Sequence, residues 1–526
     1  MRDGTEIAMT VRPLAGKTME DGPFPTFIEY SGYQTAAPHD LLQSIIDQLG
    51  GGGGANDPLA PATSTAVGSV IGPLLDFAVV SVQMRGSGCF GGAFDLFGWP
   101  TTYDGYDAIE TVAAQDWVQG GNVSMGGISF SEITQLFTAG TRPPHLAAVS
   151  PLSVSDDMYC GTGFPGGIFN NGFAFSWITE RANDAMQAPA DGQSWAKIMT
   201  TTGDPDVADL ALREEQKQHC IDNQKMRLQT RDYNKSIQNN PYRTTGLFTK
   251  RSPGAWVKNI NVPIFWVGAF QDEQTGGHWV ESVRNLARSN RDVWVTMENG
   301  VHVDSLGPST ISRWAEFMNL FTGDGRIPRI NPVVIAAGPV LYQLIAESPA
   351  LPIEQSRYAT MLDTLQNVAA AKADFRQDPR IRILMDNGAA IPSQPGAIGA
   401  AWETQFTDWP APGLKPTRFF LGKGGSLTSA KAARGGVARY LSDPSVRPAR
   451  TLGENAESDS WKPQPAYNWQ PVAPGKGLGF ITPALDRDVF IAGPSSVDLY
   501  LRSSRRNTDI QVTLTEVRPE IGKVAT

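Results

Sequence analysis

The segment Asn122-Val123-Ser124-Met125-Gly126-Gly127-Ile128-Ser129-Phe130-Ser131 constrains this chain more than any other. A short apolar run ends at a serine, and the residues after it place Ile133, Leu136 and Phe137 on one helical face. A strand that turns sharply into a helix leaves almost no space at the corner, so the positions two before and two after the serine must be very small. Here they are Gly127 and Ser131. Such a turn holds a hydroxyl clear of the backbone at a helix N-terminus, where N–H groups and the positive dipole end favour a developing negative charge. The pattern G-x-S-x-S departs from G-x-S-x-G by one hydroxymethyl group. An ordinary corner whose serine only caps the helix has the same local sequence, so residues elsewhere have to decide.

Around this corner, strand-like runs at Thr26 to Tyr30, Phe77 to Val82 and Leu146 to Val149 alternate with helical spacing from Tyr106 to Val118. That order predicts a mainly parallel sheet, because continuous apolar runs suit strands covered on both faces. Residues 1–150 read as the first part of an α/β-hydrolase core. Residues 151–245 turn polar and helical, as in Asp206 to Gln224, and read as a helical cap over a site. Strands return at Val262 to Gly268 and Asp292 to Met297, so 246–337 is the second part of the core. Residues 338–526 read as a linker helix, Ile353 to Ala371, and a β-sandwich of jelly-roll type, with period-two alternation in Ser496 to Leu501 and Asp509 to Thr515. The fold class expected is therefore α/β, a hydrolase core with an inserted helical cap and a C-terminal jelly roll.

A length of 526 residues calls for two or three domains, and 41% hydrophobic with 18% charged residues describes a soluble globular chain. A net charge of −9 argues against nucleic acid, whose phosphates need a basic face. No apolar run reaches the roughly 20 residues that span a bilayer. A soluble protein, cytoplasmic or secreted, is expected, with no cofactor. Cys89, Cys160 and Cys220 have no metal-ligand spacing, so no metal is expected; they read as inert buried thiols, with one disulfide and one thiol as the alternative. The five glycines Gly50 to Gly54 read as a surface loop, since no Gly-Lys-Ser/Thr follows to cradle a phosphate.

A serine nucleophile needs a base to take its proton and a carboxylate to orient that base. Of the five histidines, His39, His145 and His219 fall on the wrong elements. His302 follows the Asp292 to Met297 strand on a glycine-softened loop, the expected last position of a serine-acid-histidine order, while His278 opens an amphipathic helix and reads as a cap or cleft-wall residue. Asp272 ends the Val262 to Gly268 strand, where open α/β sheets present site groups; Glu273 and Asp304 are its rivals and read as solvated loop charges. The backbone N–H of Phe130 is one expected oxyanion donor, and Tyr33, after the early strand, offers a phenolic O–H or simply lines the cleft. Asp156 and Asp157 are candidates to hold a substrate ammonium, or else charges at the hinge of the cap.

These segments resemble the cocaine esterase, glutaryl acylase and X-Pro dipeptidyl peptidase family of serine hydrolases. Met1-Arg2-Asp3-Gly4-Thr5 is similar to its opening M-R-D-G strand, and Arg85-Gly86-Ser87-Gly88 to its R-G-x-G loop. Tyr103 to Asp107 and Gln115 to Val118 resemble its approach to the elbow, and Pro494 to Leu501 a strand of its C-terminal jelly roll. The likeness runs through essentially the whole chain. It implies a triad of Ser129, Asp272 and His302, with Tyr33 as the oxyanion tyrosine, acting on a small ester or amide or a short peptide. The chain departs from the family at Ser131, usually glycine, at Phe130, often tyrosine, and at Met84, near which the family has aspartate. Family members usually carry residues before the M-R-D-G strand and strands after the point where this sequence stops, so the resemblance leaves a fragment and a misassigned start as alternatives. The reading that competes with an enzyme is a carbohydrate- or protein-binding jelly roll on an inactive hydrolase scaffold.

Overall fold

The computed structural model describes residues 1–33, 75–443 and 475–517, except 15, 206, 287–289, 387, 388, 390 and 394–396, together with 68, 72, 73, 462–464, 524 and 525. Gly50 to Gly54 and His39 lie outside the described residues.

Nine strands form one sheet among the described residues, the central ones apolar on both faces. They are β1 (Met9–Arg12), β2 (Thr26–Ser31), β3 (Ala78–Gln83), β4 (Val123–Met125), β5 (Leu146–Val149), β6 (Ile264–Ala269), β7 (Val293–Glu298), β8 (Ile381–Met385) and β9 (Trp402–Phe406). Their order is β1-β3-β2-β4-β5-β6-β7-β8-β9. The edge strand β1 is paired antiparallel on β3, and from β3 to β8 every neighbouring pair is parallel. Every residue of β2, β3, β6 and β7 is buried, as continuous apolar runs require.

Helices cover the sheet and build the cap. α1 (Trp99–Ala113) and α2 (Phe130–Gly140) flank β4, and all eleven residues of α2 are buried. α1 begins seven residues before the helix expected from Tyr106: Gly98 and Pro100 open it well, whereas Gly105 in its middle reads locally as a break. The cap holds α3 (Phe173–Asp184), α4 (Ser194–Thr202), α5 (Leu210–Gln224) and α6 (Tyr233–Gln238). After β6 come α7 (Val280–Val283), then α8 (Pro308–Phe321), α9 (Pro332–Ile345) and α10 (Leu365–Phe375). α8 sends Trp314, Phe317, Met318 and Leu320 into a core shared with Phe27, Val79, Phe265 and Trp294 of the sheet.

Two boundaries beyond residue 337 also differ from expectation. The helix foreseen from Ile353 is α10 and starts only at Leu365, because Thr364 caps it by accepting from the Asn367 N–H. The sheet also continues past residue 337: β8 and β9 extend it, and a first unit runs Met1–Gln405.

The second unit is Phe406–Thr526. Its described residues form a hairpin of β10 (Phe420–Leu421) and β11 (Leu427–Thr428), a pair of β12 (Glu516–Val517) and β13 (Val524–Ala525), and a Phe406–Phe490 ring stack. The alternating segments 496–501 and 509–515 form no strand, and Val497, Tyr500, Leu501, Val512 and Leu514 are exposed. Alternation specifies a strand only when a partner ladder and a facing sheet take up one side of it.

Candidate active site

The residues singled out from sequence gather at the carboxyl ends of the parallel strands: Tyr33 after β2, Ser129 after β4, Asp156 after β5, Asp272 after β6 and His302 after β7. Ser129 has φ +64° and ψ −115°, a conformation costly for any residue with a Cβ, and stands as N-cap of α2. The corner is as crowded as the sequence implied. A Cβ placed on Gly127 would come within 3.1 Å of the Ser131 Cβ and closer still to its hydroxyl, and Gly127 itself has φ +139°. Ser131 fits because its hydroxyl turns inward, donating to the Ile128 carbonyl at 3.0 Å and to Glu29 at 3.4 Å. Behind the turn lies Glu132, whose carboxyl is pushed well above its ordinary pKa by burial and by the charge of Glu29.

His302 and Asp272 form a buried pair, Nδ1 to Oδ2 at 2.8 Å, with side-chain exposures of 5% and 0% that exclude competing water. The Asp272 carboxylate also accepts from the Gln274 N–H at 2.8 Å, the Thr275 N–H at 2.7 Å and the Thr275 hydroxyl at 2.7 Å. Burial opposes its charge, but His302 and these donors outweigh burial and hold its pKa below the ordinary value. Burial likewise opposes the His302 imidazolium, and Asp272 reverses it, so the histidine pKa is raised. The His302 carbonyl accepts from Ser153 at 2.6 Å, fixing the loop from β5. Among the described residues the Ser129 hydroxyl makes no hydrogen bond, so none joins it to His302.

Glu273 and Asp304 are not the solvated loop charges expected. The Glu273 carboxylate accepts from the His302 N–H at 3.1 Å, and its pKa is pushed to about 7 by burial and by Asp272. Asp304 is buried and accepts from the Val301 N–H at 2.8 Å, closing the turn that carries His302. Sequence position alone does not distinguish such groups from exposed loop acids.

Tyr33 packs edge-on to Phe130, ring centroids 5.2 Å apart, and its oxygen accepts from the Trp177 indole at 2.8 Å. Gly32 permits this approach: a Cβ there would lie 2.8 Å from the Phe130 ring. Trp177 and its neighbours on the cap carried no signal in the sequence beyond being aromatic or basic in a helical segment.

Asp156 and Asp157 are each paired. Asp156 is buried, 2.8 Å from His278 Nδ1, and accepts from Ser282. The hydrogen bond that His278 donates to Asp156 raises the histidine pKa against the burial that lowers it. Asp157 meets Arg243 at 2.6 Å and caps the turn at Tyr159 and Cys160. Cys89 and Cys220 are joined in a disulfide and Cys160 is a thiol, the arrangement not favoured from sequence. His145 pairs with Glu110 and His219 with Glu6, both at exposed positions. Among the described residues no group of three or more His, Cys, Asp or Glu could hold a metal ion, and no helix is long and apolar enough to cross a membrane.

A mainly parallel sheet, a strained serine at the turn into a buried helix and an acid and a histidine at later strand ends define an α/β-hydrolase fold. The chain belongs to the X-Pro dipeptidyl-peptidase (S15) family, whose model matches residues 3–304; the model of that family's C-terminal non-catalytic domain matches residues 373–525. The family is one of serine-type hydrolases. Among solved structures, a CocE/NonD family hydrolase from Staphylococcus aureus is similar with TM-score 0.50 and 18% identity, over 82% of this chain and 59% of its own. An aminopeptidase from the marine sediment archaeon Thaumarchaeota archaeon gives 0.52 and 16%, over 88% and 67%. An α-amino acid ester hydrolase gives 0.51 and 13%, over 88% and 68%. At these identities the likeness is one of fold, and the chain spans about 59% of the length of the Staphylococcus hydrolase. No curated protein matches the sequence.

Proposed function

We propose that this protein hydrolyses an ester or amide through an acyl-enzyme, with Ser129 as nucleophile, His302 as base and Asp272 as the carboxylate that orients it. The observation that carries this reading is the left-handed backbone of Ser129 at the N-terminus of a buried helix, next to a strand sequence that ends in a dry Asp272–His302 pair. His302 accepts the serine proton as the carbonyl is attacked and returns it to the leaving group; Asp272 holds the imidazole in the required tautomer and stabilises its cationic form. The Phe130 N–H and the Tyr33 O–H bind the oxyanion, and water resolves the acyl-enzyme by the same route.

Within this class the substrate is a small acyl ester, an amino-acid ester or a short peptide of Xaa-Pro type. Asp156 and Asp157 already carry His278 and Arg243, so a substrate ammonium gains little by approaching them. Acyl donors with a blocked amine are therefore expected to be cleaved at least as well as those with a free amine, a comparison made directly with paired substrates. A serine-directed phosphonate should label the folded protein at Ser129, and Ser129→Ala should lose labelling and at least about a thousandfold in activity on an activated ester. Full activity in Ser129→Ala would overturn the reading. Absence of labelling would favour the binding-module alternative.

A further inference from the structure

Tyr33 is gripped by the cap. Trp177, on α3, donates its indole N–H to the Tyr33 oxygen at 2.8 Å. Arg181, one turn further along the same helix, lays its guanidinium 4.3 Å from the centre of the Tyr33 ring. Arg181 is itself fixed by Glu180 at 2.6 Å and Asp184 at 2.9 Å. Gln193, just before α4, donates to the carbonyl of Gly32 at 2.7 Å. Trp177, Arg181 and Gln193 are all buried, and all three come from the cap, whereas Tyr33 and Phe130 belong to the sheet core.

The direction of the first contact is forced. An indole nitrogen has a hydrogen to give and no lone pair to accept one. Tyr33 must therefore accept from Trp177, which occupies one lone pair of its oxygen and restricts the directions left to its own O–H. A hydrogen bond into the phenol oxygen and a cation above the ring both favour negative charge on that oxygen, so both strengthen the O–H as a donor. Burial pushes the Tyr33 pKa up, and Arg181 and Trp177 act in the opposite direction.

We propose that Trp177 and Arg181 are positioning residues that set the direction and donor strength of the Tyr33 hydroxyl, so that the oxyanion hole is complete only while α3 is seated on the core. The inference rests on the reading of Tyr33 as an oxyanion donor. It makes the cap part of the catalytic electrostatics as well as a cover, and it predicts that substrates which keep α3 from seating are bound but acylate Ser129 slowly.

The test is a double-mutant cycle on the full chain. Trp177→Phe keeps an aromatic ring against Phe97 and Phe130 and removes the N–H together with part of the indole's volume, a packing loss that the Tyr33→Phe background carries equally. With an activated ester, kcat should fall about tenfold with KM within twofold, and Trp177→Phe should cost nothing further in a Tyr33→Phe background. Trp177→His, which again offers an N–H, should recover part of the loss. Arg181→Met supplies a second route that leaves Trp177 intact, with a several-fold loss of kcat that also vanishes in the Tyr33→Phe background. Thermal melting and phosphonate labelling of Ser129 establish that each variant is folded. Wild-type kcat in Trp177→Phe, or losses that simply add in the Tyr33→Phe background, would overturn the inference while leaving the triad untouched. A Tyr33→Phe variant that labels and turns over normally would overturn the oxyanion assignment and this inference with it. Failure of Ser129 labelling in the unmutated protein would instead remove the nucleophile assignment itself.

Discussion

At the scale of single residues, the elbow shows how one small departure is absorbed. Ser131 occupies a place usually left to glycine, and its hydroxyl satisfies itself on Ile128 and Glu29 instead of pressing on the strand. The space it takes is paid for at Gly127, where a methyl group would collide with it. Ser131→Gly should therefore shift stability by no more than about 1 kcal/mol and keep activity within a few-fold. Gly127→Ala should cost about 2–4 kcal/mol and most of the activity, through both collision and backbone strain. Melting temperature and ester turnover of the two variants check both expectations, and equal effects would contradict them. Much of this site was legible in the sequence. Strand ends, glycines and chain order single out Ser129, Asp272 and His302 as candidates, and an early strand singles out Tyr33; all four follow parallel strands at their carboxyl ends. Glu273 and Asp304 differ from the solvated loop charges their positions suggest, because burial of a loop acid depends on what the rest of the chain folds over it.

At the scale of elements, the cap is attached as well as inserted. The disulfide Cys89–Cys220 joins the loop after β3 to α5. Next to it, Arg227 donates to the carbonyls of Gly88, Phe90 and Gly92 at 2.7 to 2.8 Å, and burial lowers its pKa to about 10. Closing a loop of 131 residues stabilises by at most about 5 kcal/mol in the chain-entropy estimate. Cys89→Ser with Cys220→Ser, or a thiol reductant, should lower the melting temperature, while the three Arg227 hydrogen bonds keep the cap docked and ester turnover within a few-fold. Calorimetry with and without reductant measures this, and an unchanged melting temperature would count against it. The cap was legible as a polar helical block between two strand-rich halves. The grip of α3 on Tyr33 was not, since it joins residues 144 positions apart through groups common in any helix. The segments 496–501 and 509–515 show the converse, a clean alternation without a ladder to use it.

At the scale of the whole molecule, buried acids make the fold sensitive to alkali. Glu298, in β7 beneath the His302 loop, has its pKa raised from the ordinary 4.5 to about 8 by burial and by Asp304. Glu273 is raised to about 7 and Asp184, by burial, to about 6. An acid that binds its proton more tightly folded than unfolded stabilises the fold most below its unfolded pKa, and that contribution is lost as pH rises through the folded value. Stability should therefore decline from about pH 4.5 to pH 8, offset by Asp272, whose lowered pKa acts in the other direction. Glu298→Gln should flatten this decline, gaining at most about 5 kcal/mol relative to the unmodified protein at pH 9 and little at pH 4. Urea melts at the two pH values test it, and parallel shifts at both would contradict it. The Cys89–Cys220 bond bears on the molecule in another way. It closes a covalent ring that contains Ser129 and Trp177 and leaves Tyr33, Asp272 and His302 outside. A protease cut anywhere inside that ring opens the backbone without releasing a fragment, so the nicked chain runs as one band until a thiol is added. The stretch bearing Ser129 is thus the part of this protein that can be severed and still stay attached.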